Sequence, residues 1–201
     1  ASRLIVGAIA AISVSVISIA TGMTAAVIDP DPTDWVAVSW DGCEQCGFEP
    51  VGPDRIPGRI RETIIPWREA LRRPGADRRP APTVWSTLEY GCHVRDICDA
   101  FTDRLARVLA VDGATCPEFD ATTASVEGRY AEQDPNEVAE ELGLRIELIA
   151  QRFIGVAPLD WGRRGRRSDG PAFTPASMSN HFLHELEHHL HDVTAPGQSQ
   201  A

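Results

Sequence analysis

The sequence predicts an all-α fold, a four-helix bundle preceded by an irregular N-terminal lead-in. Three observations support this. Four stretches repeat apolar residues at helical spacing, three of them open on a recognisable capping pattern, and the connections between them are long enough to alter simple up-and-down connectivity. At 201 residues the chain can bury one sizeable core. Its 19 basic and 29 acidic residues give a net charge of −10, which argues against a nucleic-acid binder held by phosphate contacts. Every basic residue is arginine, the coding bias of a GC-rich, actinobacterial-type genome, so arginine number by itself carries no functional meaning.

The chain begins with Leu4 to Ile28, which holds no charge and is long enough to span a bilayer at about 1.5 Å per residue. Three readings compete for residues 1–28: an extra hydrophobic helix acting as a membrane anchor, a cleavable signal, or a start placed too far upstream. Five cysteines, an odd number, fit a reducing compartment. The expected location is therefore cytoplasmic, with membrane attachment only through residues 4–28.

Residues 29–55, rich in Pro, Gly and Asp, read as an extended lead-in with turns. Within it Cys43 and Cys46 form a CxxC. Half a zinc knuckle, a redox pair and a plain turn with buried thiols all remain open. The last is favoured, because Cys92, Cys98 and Cys116 offer no matching second pair.

The bundle proper is expected over residues 56–194. Its first helix, 57–73, carries Ile60, Ile64, Trp67 and Leu71, and Pro66 inside it predicts a kink or a late start. The second opens on the capping-box pattern Ser86-Thr-Leu-Glu89 and runs to about Val111, burying Tyr90, Val94, Ile97, Phe101, Leu105 and Val108 with His93 at the edge of that stripe. An irregular acidic stretch follows to Gln133. The third starts at Asp134-Pro135 with Glu137 in its first turn, and buries Val138, Leu142, Ile146, Ile149 and Phe153. The next loop, 155–173, holds Arg163, Arg164, Arg166 and Arg167; a solvated loop is the default, and a rim attracting a carboxylate-bearing co-substrate is the alternative.

The fourth helix, Thr174 to Val193, carries five of the six histidines. Thr174 caps it, Pro175 suits its first position and Phe173 can staple onto Met178. Met178, Phe182, Leu186, Leu190 and Val193 form its apolar stripe. The wheel places His181, His184, His188 and His191 on the far side, facing water, and Glu185 and His189 at the edge of the buried stripe. A carboxylate and an imidazole at i and i+4 converge on one ion; zinc is the first candidate, nickel or iron the alternatives. Pairing with an arginine or with each other is the competing explanation. A third ligand on another helix would decide, and His93 is the one histidine left. Residues 195–201 read as a disordered tail.

Trp85-Ser86 followed by His93, Val94 and Asp96 resembles the second helix of the DinB/YfiT-like superfamily, in which this histidine is a metal ligand. Glu185-Leu-Glu-His-His189-Leu-His-Asp192-Val193 resembles that family's last helix, and in particular the metal-binding domain of mycothiol-dependent maleylpyruvate isomerase. The resemblance covers about Trp35 to Val193 and implies the ligand set His93, Glu185 and His189, although many members have histidine at the position of Glu185. It further implies a metal that holds mycothiol or a similar thiol as thiolate for transfer to, or isomerisation of, an electrophilic small molecule. A non-catalytic metal-binding module and a dimerising scaffold are the alternatives. Glu89 is expected to cap its helix and Asp96 to stay solvated, so no general base is assigned.

Overall fold

The computed structural model describes residues 37–195; the hydrophobic segment 4–28 and the tail beyond 195 lie outside them. Seven α-helices are described: α1 (Val38–Asp41), α2 (Ile56–Glu62), α3 (Ile64–Leu71), α4 (Thr87–Ala110), α5 (Ala121–Glu127), α6 (Pro135–Ile154) and α7 (Pro175–Thr194). Three short strands, β1 (Ala114–Cys116), β2 (Gly165–Arg167) and β3 (Ala172–Phe173), join the ends of the loops. Among the described residues no helix is long and apolar enough to cross a membrane.

The bundle has four columns: α2 with α3, α4, α6 and α7. Both α6 and α7 pack on α4 and on the α2–α3 pair, which sets them at opposite corners. The expected first helix breaks at Thr63, three residues before Pro66, because the proline ring cannot donate to the preceding turn. The other three helices begin where their caps predict. Ser86 Oγ accepts from Glu89 N–H, Asp134 accepts from Asn136 and Glu137, and Thr174 accepts from Ser177. Phe182 is the centre of the core, with Phe101 at 5.3 Å and Phe153 at 6.3 Å between ring centroids. The Trp67 indole donates to the Leu186 carbonyl at 3.1 Å and ties α3 to α7.

Two expected loops contain structure. The acidic stretch holds α5, capped by Asp120, and the loop 155–173 supplies β2 and β3. Strand β2 pairs parallel with β1 and antiparallel with β3. Gly165 is required there, since a Cβ would come within 2.6 Å of Val108 and 2.7 Å of Phe173. The lead-in is more than an extended segment. It forms α1, which packs on α7, and Val51 exchanges two backbone hydrogen bonds with the Asn180 side chain, at 2.9 and 3.1 Å.

Glu89 is buried and serves both as the cap of α4 and as the partner of Arg79, whose Nε donates at 2.8 Å. Burial opposes the charge, but the Arg79 and Ser86 hydrogen bonds outweigh it and hold the carboxyl below its ordinary value of 4.5. The stabilisation from a depressed carboxyl is complete above that ordinary value and disappears as pH falls through the lower, folded one. Glu89→Gln should therefore cost about 2 kcal/mol in urea unfolding at pH 7, and the gap from wild type should shrink steadily below about pH 4.5.

Candidate metal centre

Three of the sequence-predicted residues meet. His93 on α4 and Glu185 and His189 on α7 place one donor atom each within 4.8 Å of the others. Glu185 Oε2 is 3.3 Å from His189 Nε2 and 3.9 Å from His93 Nε2. Two ligands bonded to one ion at about 2.1 Å with tetrahedral angles would keep about 3.4 Å between them. The gaps match that spacing. His93 Nδ1 is buried with no hydrogen-bond partner among the described residues, and 3.9 Å is too long for Nε2 to bond Glu185 directly. Two imidazole Nε2 atoms and a carboxylate oxygen thus converge, an arrangement that apolar packing does not explain.

The supporting contacts orient these donors. Asp192 Oδ2 lies 3.0 Å from His189 Nδ1 and so turns Nε2 toward the site, the carboxylate–imidazole arrangement common behind metal ligands. His181 Nε2 lies 3.1 Å from Glu185 Oε1 and leaves Oε2 for the site. Tyr90 tilts over His189 at 5.1 Å, while Trp85 and Phe119 flank His93 at 5.3 and 5.8 Å, so an aromatic collar surrounds the donors. Burial pushes the His93 imidazole down. For His189 burial also opposes charge, but the Asp192 and Glu185 contacts win and raise it to about 9. Burial would raise Glu185, yet its histidine contacts hold it well below the usual carboxylate range.

His181, expected to face water, instead packs edge-on against Phe101 at 5.4 Å and holds Glu185. His184 and His188, expected on the same wet face, are 2% and 8% exposed. The wheel assumes one buried face, and α1 with its following turn covers a second one. His191 is exposed as expected. Asp96 is not simply solvated: it accepts the Tyr130 hydroxyl at 2.6 Å and pairs with Arg95.

The four loop arginines are dispersed. Arg163 pairs with Asp160, Arg164 with Asp112, Arg166 donates to Thr115, and Arg167 pairs with Asp169. Of these, Arg167 lines a small cavity together with Arg104, Phe173, Ser177 and His181, the last of which also contacts Glu185. Arg104, which nothing in an arginine-only composition singles out, is 5% exposed and forms no ion pair among the described residues; its Nε lacks a partner and its guanidinium lies 4.8 Å over Phe101. Burial and the nearby Arg167 lower its pKa.

Facing helices that bring three donors close together are the arrangement in which helical bundles build metal sites. The DinB superfamily model matches residues 59–193, and the chain belongs to that superfamily. Among solved structures it is similar to YfiT from Bacillus subtilis, described as a probable metal-dependent hydrolase with an unusual four-helix bundle topology. The two share 14% identity at a TM-score of 0.66 over 71% of this chain and 83% of that one. No curated protein matches the chain significantly by sequence.

A buried cation without a carboxylate partner is a standing cost to the fold. Arg104→Met should therefore raise the urea-unfolding stability of the ligand-free protein by about 1 kcal/mol; a loss of stability would show that its cation–π and carbonyl contacts outweigh the buried charge.

Proposed function

We propose that His93, Glu185 and His189 hold a divalent cation, zinc foremost, and that the protein uses it to activate a low-molecular-weight thiol of the mycothiol type for transfer to, or isomerisation of, an electrophile. The observation that carries this reading is the number of donors. The cluster offers three protein ligands where a structural site would close with four, which leaves room on the ion for a ligand from solution. An ion so held supplies Lewis acidity and lowers the pKa of a thiol bound to it.

The chain's own residues supply the rest. Asp192 and His181 fix the donors, and Tyr90, Trp85 and Phe119 keep bulk water from them. Arg104 and Arg167 give the adjacent cavity, which at about 20 Å³ holds little more than a water, a positive wall that favours anionic groups nearby. Arg163, Arg164 and Arg166 are engaged elsewhere and serve that role only through the general field, and Arg167 is shared with Asp169, so Arg104 is the principal cation there. In transfer, the thiol sulfur forms a bond to the electrophilic carbon while the displaced group leaves with the electron pair; in isomerisation the same sulfur adds and is later expelled. Hydrolysis at the same centre is the second reading, favoured by the description of YfiT.

With zinc-loaded protein, His93→Ala and His189→Ala should each lose one ion per chain by elemental analysis and lower thiol conjugation to monochlorobimane about 100-fold or more. Ester cleavage without added thiol, and no thiol consumption, would support hydrolysis instead. Unchanged metal content in both variants would overturn the assignment of the centre.

A further inference from the structure

The back of α7 carries a second constellation. Cys43 and Cys46, in the turn after α1, face His184 and His188, and one donor atom from each of the four lies within 4.8 Å of the rest. We propose that these residues form a closed zinc site that pins the N-terminal segment onto the bundle.

The spacing is C-x2-C with H-x3-H, a pattern of four-ligand structural zinc. Cys43 Sγ lies 3.7 Å from His188 Nδ1. Zinc bonds of about 2.3 Å to sulfur and 2.05 Å to nitrogen at a tetrahedral angle put that separation at about 3.6 Å. The local backbone is that of a metal knuckle. Cys43 N–H donates to the Phe48 carbonyl at 3.0 Å and the Cys43 carbonyl accepts from Gly47 N–H at 2.9 Å, which curls the two thiols to one side. The turn needs left-handed backbone at Gly42 and Gly47, with φ of 78° and 74°, and a Cβ on Gly42 would come within 2.7 Å of the Phe48 carbonyl. Phe48 in turn packs edge-on against His184 at 5.3 Å.

Charge and burial agree with zinc. Two thiolates and two neutral imidazoles balance a divalent ion, so a pocket whose Cys43, His184 and His188 are at most 9% exposed gains no net charge on loading. All four positions are filled by protein, so this site, unlike the three-donor centre, has no place for substrate. The two centres share one helix in alternate register: His184 and His188 face one, Glu185 and His189 the other. Asp192 lies between them, with Oδ1 3.7 Å from His188 Nε2 and Oδ2 3.0 Å from His189 Nδ1.

The test is cobalt substitution and metal counting on the full chain. Wild type should bind two ions, and its cobalt form should show a near-ultraviolet thiolate-to-cobalt charge-transfer band. His93→Ala should keep one ion and the whole band. The double variant Cys43→Ser/Cys46→Ser should keep one ion and lose the band. If that variant fails to fold, wild type still decides, since zinc should protect two thiols from a disulfide reagent. A cobalt protein without the band, or Cys43 and Cys46 reacting equally fast with and without zinc, would overturn the proposal, whatever the three-donor centre binds.

Discussion

The constraint on which the rest depends is the rotational phase of α7. The helix is buried on two opposite sides, by α4 and the α2–α3 pair on one and by α1 and its following turn on the other. Polar residues on both sides must therefore find partners inside the protein, because both sets are largely shielded from water. Neighbouring residues such as His184 and Glu185 differ by about 100° around the axis and serve different surroundings. A turn of the helix by a fraction of that angle would separate Glu185 from His93 and His184 from the CxxC together. Three fixtures oppose such a turn: the Trp67 indole on the Leu186 carbonyl, the paired Arg59 and Glu187, and the Asn180 clamp on Val51.

Within the three-donor centre, Glu185 is the hub. One of its oxygens is engaged by His181, and the other faces His93 and His189. The carboxylate therefore stays ionised despite burial. Arg104, further along α4 from His93, is a buried guanidinium that favours anions.

Much of this was legible in the sequence, for identifiable reasons. Caps at Ser86, Asp134 and Thr174 are local chemistry, and local chemistry survives folding. The inward placement of His93, Glu185 and His189 follows from the stripe on each helix, which a wheel reads well when one face is buried. The same wheel failed at His181, His184 and His188, because the segment that covers them is short, rich in Pro and Gly, and carries no periodicity to announce a packed element. The CxxC is visible in the sequence, but the histidines that face it lie on the last helix, at the far end of the chain. The contact between Cys43 and His188 is a tertiary fact with no local signature.

That failure has a physical corollary. A functional site needs its groups held within about 0.5 Å of the productive geometry, which calls for supporting contacts beyond the groups themselves. A ligand set that exploits alternate residues of one helix turns each anchor on its back into a restraint on its front. Asp192, which orients His189 with one oxygen and faces His188 with the other, is the shortest such connection. Its position at the last turn of α7, where a helix would otherwise fray, is also where restraint is most needed. The described N-terminal segment thus bears on the phase of α7, although among the described residues it adds no donor to the three-donor cluster.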